Sequence, residues 1–582
     1  MNKVKYKDSL YNPREISDLR ELLAESFETH ADQAAFLYKD KKVGKFVPVT
    51  YSRFEKDING LGTAFIDMGL KGEKIAVIGE NSYPWVVTYF ATVNGTGVIV
   101  PIDRELKALE VANLLSRAEV SAVVYSKKLT KTMNEVMKYE DTIKSIKHFI
   151  RMDLEEDEGY ELSFKKLIAK GEKLIEEGDS RFKDAEIDKD AMTALLFTSG
   201  TTGLAKGVML SHRNISANVY NMSKYVQIME NGIGLSVLPM HHTYEMTCHI
   251  MTGLYQGMTL AICEGLKHIQ ENMAEIPANV MLAVPLIFEM MHKKIWKKVE
   301  KAGKADTLRK MVGLSKKWKL YNHPWITKKI FGQIHEATGG AISLFIAGGA
   351  AINPAVIEDY QAMGFPMIQG YGMTENAPII AVNKDRYSRP ASVGLPMPGT
   401  EVKIVDEDEN GIGEIICKGP SVMLGYYHNE EATAEAIRDG WLYTGDYGYM
   451  DKDGFLYVSG RKKSVIVTKN GKNIFPEEVE YYLSKSDYIE EVLVHGVDGP
   501  RNDDVIVKAE IYPNYQFIKD EKGDISHEEL RALMQSIIDG VNENMPTYKR
   551  VKRFGIRETD FEKTTTRKIK RHLESNLNGG DQ

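Results

Sequence analysis

The chemistry-bearing stretch that stands out is TSGTTGLAKG, Thr198 to Gly207, which sets glycines and hydroxyl residues around a single lysine. A packed core has no use for that composition. A Gly/Ser/Thr loop behind an apolar strand (TALLF) presents backbone N–H groups and hydroxyls that suit phosphate oxygens, and Lys206 adds a point charge. The P-loop pattern GxxxxGK[ST] fails, because Lys206 is preceded by Ala205 and followed by Gly207. An ordinary P-loop NTPase is thereby disfavoured.

The elements that must position this loop are read from periodicity. Short apolar runs at 73–79, 97–102, 121–126, 193–200, 280–285 and 343–349 alternate with helix-length segments. That alternation predicts parallel sheets covered on both faces. SHRNISANVYNMSKYV, after the loop, has helical spacing. Beyond Gly399 the texture changes: EVKIVDEDENGIGEIICKGP reads as a hairpin turning at DENG. Short strands at 492–497 and 505–512 and an amphipathic helix at 527–543 follow. The expected organisation is a large domain over 1–460 and a small α+β domain over 461–582.

Composition narrows the class. A length of 582 residues exceeds one core, and 43% hydrophobic with 27% charged residues is that of a globular protein. A net charge of −7 argues against a nucleic-acid binder. Three cysteines without a CxxC give neither a disulfide framework nor a zinc site, as a reducing compartment favours. The N-terminus lacks a signal-peptide core, and the uncharged run 81–102 is broken by Pro84, Asn94, Gly95 and Gly97, so it reads as a helix and a strand. A cytoplasmic protein is expected.

Further motifs follow in order: AGGAAI (347–352), QGYGMTE (369–375), YTGD (443–446), GRKKSVIVTKNGKNIFPEEVE (460–480) and TTTRKIKR (564–571). With TSGTTGLAKG, this series resembles the acyl-adenylate-forming (AMP-binding) enzymes, which include acyl-CoA synthetases, luciferases and peptide-synthetase adenylation domains. The long-chain fatty acyl-CoA synthetases are the nearest branch. The resemblance implies a large N-terminal domain of two Rossmann-like parallel-sheet subdomains plus a distorted β-barrel, and a small mobile C-terminal α+β domain. It also implies a two-step reaction. A carboxylate attacks the α-phosphate of ATP, giving acyl-AMP and pyrophosphate; a thiol, usually that of coenzyme A, then displaces AMP. Such catalysis is mostly positioning plus preorganised positive charge.

Roles implied by the resemblance fall on matching positions. Thr198, Ser199, Gly200, Thr201, Thr202, Gly203 and Lys206 would cradle the phosphates, and Thr198 with Glu375 would hold Mg²⁺. Tyr371, within Gln369–Gly370–Tyr371–Gly372, would stack on adenine beside Gly349 and Ala350. Thr374 would contact the α-phosphate. Asp446 would accept the ribose hydroxyls, with Arg461 supporting the same end. Lys568 would reach the acyl and phosphate oxygens in adenylation, Lys463 would be the hinge between half-reactions, and Gly471 would face CoA. One departure is Arg567, where the family usually has glycine before its lysine; Lys563, Lys570 and Arg571 fit the pattern less well.

For the acid, LPMHHTYE (238–245) and VPLIFEMM (284–291) resemble segments of long-chain synthetases, with Met246 and Leu286 where arginine is frequent. His242 would stand beside the acyl carboxylate. His241, Glu245 and His249 at helical i, i+4, i+8 spacing offer a competing metal site. Residues 292–329 carry 13 Lys/Arg against 2 acidic residues and include Trp296, Trp318 and Trp325. That pattern suits either a solvated face or peripheral contact at the inner membrane surface. The function expected is a medium- to long-chain fatty acyl-CoA synthetase using ATP, Mg²⁺ and CoA. The alternatives are loading of a carrier protein and activation of an aryl or other non-fatty acid.

Overall fold

The computed structural model describes residues 9–139, 143–198, 205–228, 231–468, 472–499, 505–564, 568–571 and 573–578. All six apolar runs are strands: Lys74–Ile78, Val98–Ile102, Ala122–Tyr125, Met192–Thr198, Val280–Ala283 and Leu344–Ala347. They read as unbroken apolar runs because both faces are covered. Ile75, Ala76, Val77 and Ile78 are all fully buried. Burying each of the Ile and Val side chains is worth about 1.5–3 kcal/mol over leaving it in water.

The chain divides into two compact units. The first comprises residues 1–402, 417–442 and 452–455, and the second 403–416, 443–451 and 456–582.

Two sheets build the first unit. In the eight-stranded sheet, parallel strands run from Met192–Thr198 through Val98–Ile102, Lys74–Ile78, Ala122–Tyr125 and His148–Arg151 to Glu161–Ser163. Its other edge is antiparallel: Lys206–Ser211 returns along Met192–Thr198, and Gly425–Tyr426 pairs outside it. The nine-stranded sheet has a parallel centre running from Met367–Gly372 through Leu344–Ala347, Val280–Ala283, Ile233–Ser236 and Thr259–Ile262 to Ala34–Asp40. Antiparallel strands finish it at both ends. The run 81–102 is helix Tyr83–Ala91 followed by strand Val98–Ile102. Among the described residues no helix is long and apolar enough to cross a membrane.

The five-stranded curled sheet, where the sequence predicts a distorted barrel, contains the DENG hairpin. Asp408 N–H donates to Ile412 O at 2.9 Å, Gly411 N–H to Asp408 O at 2.9 Å, and Gly411 takes φ +73°. The second unit has its own core, built on Ile489–Asp498, Val505–Pro513 and Val551–Ile556. The first pair is antiparallel and the second parallel, so the chain must cross over between them. Helix His527–Glu543 makes that crossover. Ser526 caps it in a box with Glu529, and it buries Leu530, Met534 and Ile538, spaced four apart.

Candidate functional site

Two antiparallel strands, Met192–Thr198 and Lys206–Ser211, flank the glycine-rich stretch. Thr198 pairs across the ladder with Lys206, and Phe197 with Gly207. Thr198 and Lys206 are therefore the two posts of the loop. Ser199, Gly200, Thr201, Thr202 and Gly203 lie outside the described residues, as do Gly471 and Arg567.

Lys206 is aimed by its neighbour strand. Gly425–Tyr426 pairs with Met209 and Val208, which places the Tyr426 ring 4.7 Å from the Lys206 ammonium. The phenol then donates to Glu375 Oε1 at 2.9 Å. Burial, and then the Glu375 carboxylate, push the Tyr426 pKa far up, so the hydroxyl keeps its proton and remains a donor. Met423 N–H also donates to Glu375 O at 2.8 Å. Lys206 and Glu375 thus meet on one tyrosine that the motifs do not contain, with Thr198 paired to Lys206 across the ladder.

Glu375 sits in the short turn Thr374–Asn376, directly after strand Met367–Gly372. Chain packing there leaves no room for a side chain at Gly372: a Cβ would lie 2.0 Å from Pro378 O. Helix His212–Ser223 locks the turn from behind. Asn218 Nδ2 donates to Asn376 O at 3.1 Å and Ile379 O at 3.0 Å. One turn earlier, Asn214 Nδ2 donates to Pro420 O and Val422 O, both at 2.8 Å, fixing the segment that delivers Tyr426. Asn214 and Asn218, spaced i, i+4 on one helix face, position both halves of the site.

Gln369 is buried and structural in its side chain, donating to Pro390 O at 2.6 Å. Gly370 and the half-buried Tyr371 follow it on the strand. Gly349 takes φ +82° at the exposed turn after Leu344–Ala347, followed by the exposed Ala350. The His242 segment reaches the same turn. Tyr244 donates to Ile346 O at 2.9 Å, and its ring lies where a Gly348 Cβ would be, 2.7 Å away. His242 precedes helix Thr243–Glu245, and its ring centroid is 4.1 Å from that of His241. Asn81 braces this approach, donating to Leu238 O at 2.6 Å and accepting from Met240 N–H at 3.0 Å.

The competing histidine metal site is corrected by the structure. His241 lies before the helix, 3.7 Å from Asp103, while Glu245 and His249 pair at 2.9 Å deep in the core. Burial, with Arg104 adding to it, drops the His241 pKa to about 3 and keeps its ring neutral. The described residues hold no group of three or more His, Cys, Asp or Glu that could bind a metal ion. Thr198 and Glu375 are a different kind of donor set, a hydroxyl at the base of the glycine-rich stretch and a carboxylate bonded to Tyr426. That set fits Mg²⁺, a hard ion that usually takes one or two protein ligands plus substrate phosphates.

In the second unit, Asp446 and Arg461 are cross-strand partners, with Arg461 Nε 3.2 Å from Asp446 Oδ1. The Asp446 turn is braced by Thr444, which accepts from Asp446 N–H at 3.1 Å and donates to Ile415 O at 2.7 Å. Glu414, absent from the motifs, accepts from Gly445 N–H at 3.2 Å and from Lys462 Nζ at 2.6 Å. Lys463 occupies the next position, in the turn Lys462–Ser464.

Lys568 belongs to the same neighbourhood. Crowding by protein around the ammonium comes first, then the Arg461 guanidinium, and together they lower its pKa to about 8; Asp446 opposes them. The residue as a whole keeps exposed surface, so its ammonium is crowded without being sealed from solvent. Its competitors have other work. Lys563 is bonded to Glu491 at 2.7 Å and Asp560 at 2.8 Å, and Arg571 to Glu480.

A family model described as AMP-binding enzyme matches residues 23–427, and one described as AMP-binding enzyme C-terminal domain matches 463–575. The chain is 28% identical over 520 residues to a long-chain-fatty-acid–CoA ligase of Salmonella typhimurium, covering 84% of each protein. It is 27% identical over 583 residues to the chloroplastic long-chain-fatty-acid–[acyl-carrier-protein] ligase AEE15 of Arabidopsis thaliana, covering 88% of this chain and 78% of that one. O-succinylbenzoate coenzyme A synthetase (MenE) from Bacillus subtilis, solved in complex with ATP and magnesium ion, shares the fold: TM-score 0.70 and 20% identity over 95% of this chain and 98% of that one. The two family models together span most of the chain, both units included: this chain belongs to the AMP-binding enzymes, the acyl-adenylate-forming ligases.

Proposed function

We propose that this ligase is an ATP-dependent fatty acyl-CoA synthetase acting on medium- to long-chain acids. The observation behind the reading is the Lys206–Tyr426–Glu375 arrangement, which puts a phosphate-seeking cation and a metal-seeking carboxylate on one rigid ring. Likeness to long-chain fatty acid ligases over most of the chain supports a fatty substrate.

In the first half-reaction a carboxylate oxygen attacks the α-phosphorus of ATP, and the bond to pyrophosphate breaks. Lys206, Thr198 and the loop between them would hold the phosphates, and Thr374 would contact the α-phosphate. Thr198 and Glu375 would hold Mg²⁺, which when bound supplies positive charge against the phosphate oxygens. Tyr371 and the Gly349–Ala350 turn would bracket adenine, and Asp446 would accept the ribose hydroxyls while Arg461 fixes its carboxylate. His242 would orient the incoming acid. Lys568 would meet the charge that develops between acid and phosphate. In the second half-reaction the CoA sulfur attacks the acyl carbon, and the bond to AMP breaks. Lys463 would be the hinge between the two steps, with Gly471 serving CoA.

Loading of a carrier protein shares the first half-reaction and differs in the acceptor, as the name of the Arabidopsis relative illustrates. The deciding experiment is pyrophosphate release across a panel of fatty and aryl acids, with CoA, holo-acyl carrier protein or no acceptor. Fatty acids should give pyrophosphate and, with CoA, acyl-CoA and AMP. Formation of ADP and phosphate would overturn the adenylation reading, and a preference for aryl acids would overturn the fatty one.

A further inference from the structure

We propose that the helical segment 305–330 is a docking surface for an anionic lipid bilayer. Helix Ala305–Trp318 faces inward along Leu308, Val312 and Ser315, and Ser315 donates to Ala362 O at 2.6 Å. Its outer side exposes Leu314 and Trp318. Lys319 then turns the chain in a left-handed conformation, φ +51°, into the short turn Leu320–Asn322 and helix Pro324–Ile330. That helix faces inward at Thr327 and outward at Trp325 and Ile330. The turn packs against both helices, so Trp318, Tyr321 and Trp325, all exposed, belong to one helix–turn–helix corner of the unit.

Exposure is what separates these tryptophans from the others. Trp318 is 63% and Trp325 71% exposed, whereas Trp85 is buried and Trp296 and Trp441 are half-buried. Trp296, the third tryptophan of the basic segment, donates its indole N–H to His292 Nε2 at 2.9 Å, so its polar edge is already engaged within the protein. Large aromatic surface left in water is unfavourable unless something covers it. Lys317, Lys319, Lys328 and Lys329 are exposed and flank the two rings in sequence.

Charge decides the occupant. Indoles sit at headgroup depth while lysines meet anionic lipid, so rings and cations are used together at a membrane surface. A second copy of the same face would set these lysines against one another. A nucleic acid would use the lysines and leave Leu314 and Ile330 in water, on a chain whose net charge is −7. The inference does not depend on which acid the enzyme activates.

The test is co-sedimentation of the full chain with vesicles of phosphatidylcholine alone and of phosphatidylcholine mixed with phosphatidylglycerol, at low and high salt. Binding should require phosphatidylglycerol and weaken with salt. Replacing Lys317, Lys319, Lys328 and Lys329 together by Gln should lower vesicle partition at least about a hundredfold, since each surface cation contributes measurably. Trp318→Ser with Trp325→Ser should also lose binding and abolish quenching of tryptophan fluorescence by brominated lipid. Both variants should keep the wild-type melting temperature and pyrophosphate release with a soluble acid, which separates a failed docking surface from a failed enzyme reading. Equal binding to both vesicle types, or variants that bind like wild type, overturns the proposal. Pelleting without vesicles that the tryptophan variant abolishes makes the occupant a second copy and overturns it as well. So does preferential capture by double-stranded DNA.

Discussion

Tyr426 donates a 2.9 Å hydrogen bond to Glu375 while its ring lies 4.7 Å from the Lys206 ammonium. A single side chain therefore sets the spacing between the group that would hold Mg²⁺ and the group that would hold phosphate. Phenylalanine at 426 keeps the ring and the cation contact and removes only the bond to Glu375. A hydrogen bond to a charged partner is worth about 1.5–3 kcal/mol, so kcat/KM for adenylation should fall about 10- to 100-fold. The loss should shrink at high Mg²⁺, and a loss indifferent to Mg²⁺ would detach Tyr426 from the metal position.

Glu375→Ala removes the carboxylate that would hold Mg²⁺ and should damage pyrophosphate release more than Tyr426→Phe does. The two substitutions act on one interaction, so the double variant should be little worse than Glu375→Ala alone. Additive losses in the three-variant comparison would separate the residues.

Asp446→Ala should chiefly raise the KM for ATP, since a ribose contact is made equally in ground and transition states. Asp446→Asn, which retains one acceptor oxygen but lacks the charge opposite Arg461, should fall between. An unchanged ATP KM in the alanine variant would remove Asp446 from the nucleotide site.

Lys568 connects geometry to pH. Crowding first, and then Arg461, bring its pKa to about 8, below the ordinary lysine value. Only the protonated form carries the charge, so adenylation by the free enzyme should decline as pH rises through about 8. Lys568→Ala should cost about 10²–10³ in adenylation kcat and abolish that limb. Conversion of synthetic acyl-AMP and CoA to acyl-CoA should stay near the wild-type rate. Proline at Lys463, which fixes φ at the proposed hinge, should produce the opposite pattern. If Lys563→Ala or Lys570→Ala abolished adenylation and Lys568→Ala did not, the catalytic lysine would be reassigned.

His212 supplies a stability prediction. Its Nδ1 accepts from Leu19 N–H at 3.2 Å, its Nε2 lies 3.1 Å from Thr193 Oγ1, and burial lowers its pKa to about 4 despite Asp18. The folded state binds the proton less well than the unfolded state. Stability is therefore complete above the ordinary histidine pKa of about 6.5 and is lost as pH falls toward 4, by about 3 kcal/mol from this group. His212→Gln should flatten the melting-temperature difference between neutral and mildly acid buffer. A variant with the wild-type acid slope would clear His212 of that role.

The parts of this molecule legible in the sequence are those that leave local signals. Fully buried parallel strands such as Lys74–Ile78 are unbroken apolar runs, DENG is a turn by its chemistry, and helix 527–543 shows its periodicity and cap. Lys206–Ser211 gives no clear strand signal in the sequence, because its first residues belong to the loop motif and its alternation is short. Tyr426, Glu414, Asn214 and Asn218 left no motif at all. Their partners lie far along the chain, at sequence separations of 51 for Tyr426 and Glu375 and 158 for Asn218 and Asn376. A polar residue in a two-residue strand or an amphipathic helix looks the same whether its partner is water or a distant carbonyl. The family motifs give the candidate site groups; the residues that aim them are visible only once the chain is folded.

The second compact unit is threaded from three separate stretches, 403–416, 443–451 and 456–582. This has a consequence for recombination and for the making of chimeras. A splice at 461 looks natural from the motifs, yet it would exchange Arg461 and Lys568 while leaving Asp446 and Glu414 of the recipient behind. The ion pairs Asp446–Arg461 and Glu414–Lys462 would then join residues of different ancestry. A donor segment that begins before 403 keeps the interleaved unit's charge partners together as one block, though Tyr426 then travels apart from Glu375.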